Sequence, residues 1–230
     1  MSDESTFRLN KYLALHLGIS RREADKLIEE RKVKINNQIA NLGARVSTND
    51  EVSANNKIIS GITKYEYVAL NKPTGYVCSR KRQGNTPTIY ELLPVVMAKL
   101  KPVGRLDKDS SGLILLSNDG DFAFQMTHPS FHKVKIYKVR LDRDLEPLHQ
   151  QMISDYGINL EDGPSKLTLE RLSDSNRRDW TVTMHEGRNR QIRRTFAALG
   201  YSVVKLHRTN FGKYAIGDLK PGEYEIIINN

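Results

Sequence analysis

The sequence predicts an α+β protein with a small helical module followed by a larger domain on a mixed, mostly antiparallel β-sheet with flanking helices. Leucines recur at helical spacing near the N-terminus, whereas short apolar strands dominate after residue 64. These strands mostly follow one another directly, and only two helices interrupt them, which argues against a doubly wound parallel sheet. At 230 residues, the chain accommodates two domains. We predict them at residues 1–60 and 64–230, with the polar stretch 55–63 as linker.

The first module is predicted as two helices and a hairpin. Leu9, Leu13 and Leu17 share one helix face, and Gly18 is a typical C-terminal stop. Ser20-Arg21-Arg22-Glu23 has the pattern of a capping box, which opens a second helix. The pattern around Asn36-Asn37 predicts a strand, a tight turn and a returning strand.

In the larger domain the pattern predicts strands, and two helices separate some of them. The predicted strands are Tyr65–Leu70, Tyr76–Cys78, Leu113–Leu116, Val134–Leu141, Leu167–Leu172, Trp180–Met184 and Tyr201–Leu206. One helix carries Leu145, Leu148 and Met152, and the other carries Ile192, Phe196 and Leu199.

Composition and charge narrow the classes of function. The chain is 38% hydrophobic and 27% charged, which is ordinary for a globular protein and excludes disorder throughout. We expect no membrane segment and no signal peptide, and the single cysteine, Cys78, suits a reducing cytoplasm. The net charge is +9, and the basic residues concentrate in 8–45, 72–108 and 185–213. Such a distribution favours a polyanionic partner.

The signatures of nucleotide cofactors and of zinc are missing. The sequence contains no GxGxxG, Walker A, HExxH or paired CxxC motif, and its six histidines do not recur at ligand spacing. We therefore expect no cofactor and no metal ion.

Three segments are candidates for a functional site. The first, residues 104–112, is a glycine-bounded loop before an apolar strand, so Asp107 could face a pocket rigidly. The alternatives are a turn in which Asp and Ser bond their own backbone, or a carboxylate pair of Asp107 and Asp109 for glycosidic chemistry.

The second segment, residues 133–139, places cations beside an aromatic ring. On a strand, Lys135, Tyr137 and Val139 point the same way, which suits phosphate contact and base stacking. An edge strand with protective lysines explains the pattern equally well.

The third segment is the basic run 186–194. On a helical wheel Arg190 and Arg194 lie opposite the apolar face, whereas Arg193 falls at its border, about 60° from Phe196. A solvated face explains Arg190 and Arg194. It explains Arg193 less well, because Arg193 lies at the border of the apolar face, from which its side chain could reach inward to a carboxylate.

In this order, the three segments resemble the RsuA/RluB/RluE/RluF family of bacterial ribosomal RNA pseudouridine synthases. The matches are G-R-L-D at 104–107, K-x-Y-x-V at 135–139 and E-G-R-N-R-Q-I-R-R at 186–194. Residues 8–52 resemble the αL RNA-binding module of the S4 type that often precedes the catalytic domain. Ser110 departs from the family, whose members more often have Thr there.

The resemblance implies a role for individual residues. Asp107 would be the catalytic aspartate, Tyr137 the aromatic that stacks on uracil and takes the proton from carbon 5, and Arg193 the partner of the aspartate. The implied substrate pocket includes Arg105, Leu106 and Leu206. The predicted RNA-binding residues are Arg8, Lys11, Arg21, Arg22, Lys26, Lys135, Arg188, Arg190 and Arg194.

The resemblance implies isomerisation of a uridine, flipped out of its stack, in ribosomal RNA or in a ribosomal assembly intermediate. We expect a monomeric enzyme without a cofactor. Residues 157–164 and the Trp180 strand look more like the large-subunit branch, which favours 23S over 16S RNA, although residues 196–200 and 206–208 look closer to the small-subunit branch. The alternatives are a non-catalytic RNA-binding assembly factor on the same fold and, more distantly, a glycoside hydrolase.

Overall fold

A computed structural model describes residues 6–59 and 64–229 of the chain. The chain divides into two compact units, Met1–Glu66 and Tyr67–Asn230. Helices and a mixed, mostly antiparallel sheet make up the described residues, so the predicted α+β class is confirmed. None of the described helices combines the length and the apolar character needed to cross a membrane.

The first unit packs two helices against short strands. Its elements are β1 (Phe7–Arg8), α1 (Leu9–Leu17), α2 (Arg21–Glu29), β2 (Val33–Ile35), β3 (Gln38–Ile39), β4 (Arg45–Val46), β5 (Val52–Ala54) and β6 (Lys57–Ile58). Leu9 and Leu13 of α1 and Ala24 and Ile28 of α2 are buried in its core. This burial explains the apolar spacing in the sequence, because one stripe of each helix faces the core.

The predicted capping box and tight turn are both confirmed. The amide of Glu23 donates to Ser20 Oγ at 3.1 Å, and the amide of Ser20 donates to Glu23 Oε2 at 2.6 Å. Gly18 ends α1 in the left-handed conformation, at φ +68°. Asn36 and Asn37 also have positive φ, as a two-residue turn between β2 and β3 requires.

The predicted linker is wrong over its first half. Asn55 and Asn56 form the turn between β5 and β6, and the Ile59 amide donates to the Val52 carbonyl at 2.8 Å. Polar turn residues resemble a linker in sequence, but here the strands around them pair. Residues 60–63 of the predicted linker lie outside the described part of the chain.

The second unit is built on one large sheet. Its elements are β7 (Tyr67–Lys72), β8 (Lys101–Val103), β9 (Ser111–Ser117), α3 (Gly120–Thr127), β10 (Lys135–Leu141), α4 (Pro147–Gln151), β11 (Ile158–Leu160), β12 (Gly163–Ser165), β13 (Thr168–Ser173), β14 (Asn176–Met184), α5 (Gln191–Ala197), β15 (Val203–Phe211), β16 (Tyr214–Ala215) and β17 (Tyr224–Ile226). The sheet order is β13-β14-β10-β15-β9-β7-β17, with β16 on β15 and β8 on β9.

Two local predictions for this unit differ from the structure, and one helix was not predicted. Val77 forms only an isolated bridge with Thr88, because the chain curves beside the 104–110 loop instead of joining the sheet. The helix carrying Leu145 begins later, at Pro147, and continues as a π-helical turn, Met152–Tyr156. Helix α3 was not predicted; Asp119 caps it by accepting from the amides of Asp121 and Phe122.

A parallel strand pair joins the two halves of the sheet. Strands β15 and β9 pair through His207 with Ser111 and Arg208 with Gly112, whereas the neighbouring pairs are antiparallel. The backbones approach closely, because a Cβ atom on Gly112 would lie 2.2 Å from the Arg208 carbonyl oxygen. Gly112 also has φ +107°, a conformation that side chains rarely adopt.

We predict that Gly112→Ala lowers the free energy of unfolding by at least about 2 kcal/mol, because the added methyl group meets backbone and the φ angle is strained. Urea denaturation followed by circular dichroism measures this change. The control is Gly120→Ala at the exposed start of α3, where nothing lies within 4 Å of the new Cβ. Equal unfolding midpoints for the two variants would contradict the prediction.

Candidate active site

The three candidate segments meet in one cleft of the second unit. The cleft has a volume of about 310 Å³ and is bounded by the 104–110 loop, β10, the 184–192 segment and β15. Its lining includes Asp107, Tyr137, Arg190 and Leu206. Residues more than 80 positions apart in the chain are thus brought together at one end of the parallel strand pair.

A buried lysine holds the backbone of the 104–110 loop. Lys72 ends β7 and is 0% exposed. Its ammonium donates to the carbonyls of Pro73 at 3.0 Å, of Asp107 at 3.0 Å and of Ser110 at 2.6 Å. Burial lowers the pKa of Lys72, and the charge of Asp107 acts in the opposite direction. Three charge-assisted hydrogen bonds, each worth about 1.5–3 kcal/mol, offset the cost of desolvating the ammonium.

Two further contacts brace the same loop. The Leu106 amide and carbonyl both lie 3.4 Å from Cys78 Sγ, and the Gly75 amide donates to the Lys108 carbonyl at 2.7 Å. Cys78 is partly buried, and burial raises the pKa of its thiol. The loop is therefore held by Gly75 and Cys78 as well as by Lys72.

Arg190 joins two carboxylates at the cleft. Its Nη1 lies 3.2 Å from Asp107 Oδ2 and 3.2 Å from Asp109 Oδ1, and its Nη2 lies 3.2 Å from Asp109 Oδ2. Arg190 precedes α5 with φ +47°, an uncommon conformation for a residue with a side chain. The Asp107 side chain remains 37% exposed.

The expected pairing of Arg193 with Asp107 is wrong in this structure. Arg193 donates to the Val203 carbonyl at 2.6 Å and to the Asp109 carbonyl at 3.0 Å, and its Nη2 lies 3.3 Å from Asp109 Oδ2. The inward direction of Arg193 is confirmed, since its side chain is only 13% exposed. Its hydrogen bond to the Val203 carbonyl in β15 directs the guanidinium to Asp109. Asp107 is instead contacted by Arg190.

Asp109 is held ionised by this arrangement. Partial burial raises its pKa, but the hydrogen bond from Arg190 and the charges of Arg193 and Arg190 outweigh burial and leave the pKa below its ordinary value. The ion pairs of Asp109 link the 104–110 loop to α5, and they weaken as pH falls through that lowered pKa.

The remaining walls of the cleft combine apolar and aromatic side chains. Tyr137 and Leu206 are each 8% exposed, and Leu106 is 7% exposed. Tyr137 lies on the cleft face of β10, as the alternation of the strand predicted, and Arg105 is exposed at the rim. A planar base in this cleft would meet a ring, aliphatic groups and one carboxylate.

Three of the arginines predicted to contact RNA are engaged within the protein: Arg190 with Asp107 and Asp109, and Arg188 and Arg194 with Asp162. Arg188 Nη1 contacts the Asp162 carboxylate and carbonyl, each at 2.9 Å, and Arg194 makes a bidentate ion pair with Asp162 at 3.0 and 2.7 Å. These bonds hold the β11–β12 hairpin against the start of α5. Contact of Arg188 and Arg194 with RNA stays a prediction that would require these bonds to be shared or exchanged.

The predicted RNA-binding residues of the first unit lie on or beside its helices. Arg8, Arg21, Arg22 and Lys26 are exposed, and the Lys11 ammonium lies 5.9 Å from the centre of the Phe7 ring. Arg21 and Arg22 open α2, whereas Lys26 also lies 3.8 Å from Glu30. The sequence identified this basic face, because the apolar stripe of α2 leaves no room for these residues in the core.

Three residues at or near the site were not identified from the sequence: Lys72, Arg208 and Asp162. Lys72 and Arg208 are the clearest omissions, because each is at most 2% exposed and lies at the cleft or behind it. The position of Lys72 at the end of an apolar strand could have indicated that this lysine is buried. Among the described residues, no group of three His, Cys, Asp or Glu side chains could hold a metal ion.

Comparison with known proteins identifies the family. Residues 66–198 match the family described as RNA pseudouridylate synthase, and residues 7–52 match the S4 domain. The chain is 40% identical to ribosomal small subunit pseudouridine synthase A of Pasteurella multocida (strain Pm70), over 96% of this chain and 95% of the relative. It is 33% identical to ribosomal large subunit pseudouridine synthase B of Bacillus subtilis (strain 168), over 94% of this chain and 90% of the relative.

A solved structure agrees in fold. A crystal structure of a pseudouridylate synthase matches with a TM-score of 0.69 and 36% identity, and the match covers 96% of each chain. The motifs that meet around Asp107 therefore lie in a fold that serves this chemistry in a relative, and the resemblance inferred from the sequence is confirmed. The chain belongs to the RNA pseudouridylate synthase family and carries an S4 domain before the synthase domain.

Proposed function

We propose that this protein isomerises a uridine of ribosomal RNA to pseudouridine in the cleft around Asp107. The observation that carries this proposal is the Asp107 carboxylate, oriented by Arg190 at 3.2 Å in a cleft that also holds Tyr137 and Leu206. The S4 domain supplies an RNA-binding module. The relatives described above are named as pseudouridine synthases of the ribosomal small and large subunits. Pseudouridine synthases are isomerases, so no oxidant or group donor enters the reaction.

The reaction exchanges one bond for another. The bond from N1 of uracil to C1′ of the ribose breaks, the base turns, and a bond forms from C5 to C1′. The proton on C5 leaves and N1 gains one, so the atoms balance. In the proposed mechanism Asp107 is the group that attacks or removes a proton, and either role needs the ionised carboxylate that Arg190 orients.

Tyr137 and Leu206 are proposed to hold the turning base. Tyr137 presents a ring from the centre of the sheet, where stacking on a flat base offsets the cost of removing that base from its helix. Its hydroxyl oxygen is the proposed acceptor of the C5 proton, and the hydroxyl passes its own proton on, so that it is neutral again once N1 has gained a proton. Leu206, on the neighbouring strand, lines the same cleft with an apolar surface.

The proposed partner is ribosomal RNA or a ribosomal assembly intermediate, bound by a monomer in the cytoplasm. The basic face of α2 and the rim residue Arg105 would contact phosphates. Residues 157–164 and the Trp180 strand favour 23S RNA as the target. The 40% identity to a relative named for the small subunit favours 16S RNA and makes it the second candidate.

We predict that Asp107→Asn slows isomerisation by at least about 10³-fold, because the amide cannot act as nucleophile or base. Release of tritium from RNA labelled at C5 of uridine measures the rate, and the affinity for RNA should stay within about threefold of the original protein. Asp121→Asn, in the first turn of α3, is the matched control. Undiminished tritium release by Asp107→Asn would contradict the catalytic assignment, and release of free uracil would indicate glycosidic cleavage.

We predict that cells lacking the gene lose pseudouridine at one site of ribosomal RNA. Pseudouridine mapping of both ribosomal RNAs, with and without the gene, measures this loss. A lost site in 23S RNA supports the large-subunit prediction, and one in 16S RNA replaces it with the second candidate. Unchanged ribosomal RNA, together with normal RNA binding, would favour the alternative of a non-catalytic assembly factor.

We predict that replacing Arg21 and Arg22 together by Gln weakens RNA binding about tenfold, because two phosphate contacts are lost. The slope of log Kd against log salt should fall by about 1.4–1.8 units, or about 0.7–0.9 for each lost contact. Stability should change by less than about 0.5 kcal/mol, since both side chains are exposed. The control replaces Lys138 and Lys205, exposed on β10 and β15, by Gln. Equal salt slopes for the two double variants would refute the prediction.

A further inference from the structure

Two buried cations share the floor of the cleft. Lys135 on β10 is 9% exposed and Arg208 on β15 is 2% exposed, and both line the cleft. The Lys135 ammonium lies 5.3 Å and the Arg208 guanidinium 4.8 Å from the centre of the same ring, Phe211. Charged side chains are rarely buried to this extent unless an opposite charge accompanies them.

The protein itself does not neutralise this pair. Within the described ranges, no carboxylate lies at ion-pair distance from Lys135 or Arg208. Glu186, the acidic residue that acts on Lys135 from further away, directs its carboxylate to Arg188 and Gln191. Burial lowers the pKa of Lys135, and the charge of Arg208 lowers it further. The positive charge of the floor is thus left for a ligand to balance.

The hydrogen bonds of the pair are also incomplete. Lys135 donates only to the backbone carbonyls of Lys133 and Glu186, each at a long 3.4 Å. Arg208 donates through Nε to the Leu113 carbonyl at 2.8 Å, while its buried Nη2 has no partner. The Ser110 hydroxyl, buried in the same lining, also lacks a partner. A guanidinium anchored through one nitrogen keeps its other donors for an acceptor in the cleft.

The position of the pair fits one nucleotide. Arg208 is the cross-strand partner of Tyr137, and Lys135 lies two residues from Tyr137 on the same face of β10. Two residues of strand span about 7 Å. A uridine stacked on Tyr137 carries its flanking phosphates within that reach.

We propose that Lys135 and Arg208 form an anion subsite that takes a phosphate flanking the flipped-out uridine. The subsite rests on the proposed function for the identity of the nucleotide, but its charge and geometry stand without it. A phosphodiester is favoured over a neutral carbonyl of the base, because two cations without a counterion call for a negative charge. The proposal adds Arg208 to the residues that bind the substrate. It also places the predicted RNA contact of Lys135 inside the cleft.

The first test is a salt titration of binding to single-stranded polyuridine, which needs no knowledge of the target site. Lys135→Met keeps the length of the side chain and removes the charge. It should raise Kd about tenfold and lower the slope of log Kd against log salt by about 0.7. Lys138→Met, on the exposed face of the same strand, is the matched control and should leave both unchanged. An unaltered slope for Lys135→Met overturns the proposal.

Two further readouts separate charge from structure. Lys135→Met should raise the melting temperature by a few degrees, since it removes a buried like-charge contact; a lower melting temperature together with an unaltered salt slope would indicate a structural role only. Arg208→Lys loses the Nε bond to Leu113 but keeps the charge, so it should retain most of the salt slope. A slope as low as that of Lys135→Met would contradict this expectation.

The last test locates the phosphate on the mapped RNA fragment. A neutral methylphosphonate replaces the linkage 5′ or 3′ of the target uridine, and Kd is measured with the original protein and with Lys135→Met. At one of the two linkages the effects of the RNA change and the protein change should be non-additive. Additive effects at both linkages overturn the proposal, even where isomerisation is intact. A protein without isomerising activity instead contradicts the proposed function, and the polyuridine titration still decides the subsite.

Discussion

The arrangement of the cleft depends on the buried ammonium of Lys72. It draws together the carbonyls of Pro73, Asp107 and Ser110, so the backbone of the proposed catalytic residue and the end of its loop converge on one cation. A loop whose carbonyls are bonded in this way cannot relax towards solvent without leaving an unpaired charge in the core. The side chain of Asp107 is then placed by the backbone beneath it, and Arg190 only has to set its orientation. A rigid support of this kind is what a precisely positioned reacting group requires.

The parallel pairing of β9 and β15 supplies the second constraint. Gly112 allows the two backbones to approach, and this contact sets Arg208 directly opposite the end of the 104–110 loop. The carboxylate on one strand's entry loop and the cations of the neighbouring strands then face a single cleft. The start of β9 lies beside the middle of β15, and this pairing brings together two chain segments that are about 100 residues apart.

The cleft contains two sets of charged side chains, one with balanced charges and one without. On one side Arg190, Arg193, Asp107 and Asp109 form a balanced set in which each guanidinium meets a carboxylate. On the other side Lys135 and Arg208 share Phe211 without a carboxylate partner among the described residues. The balanced set can orient a reacting carboxylate in the absence of substrate, whereas the unbalanced pair gains its counterion only on binding. Natural sites often sacrifice stability in this way for the sake of a ligand.

The sequence by itself determined the fold class, the caps and turns of the first unit, the strands that carry the motifs and the family. These features follow from local rules, namely apolar periodicity, capping residues and motif spacing. Tertiary structure alone decided which arginine meets Asp107, that Arg188 and Arg194 hold Asp162, and that Lys72 and Arg208 are buried beside the cleft. Helical periodicity gives the direction of a side chain to within a fraction of a turn, as it did for Arg193. Its partner depends on how a distant strand packs: the Val203 carbonyl holds one end of that guanidinium, and no local pattern records this contact.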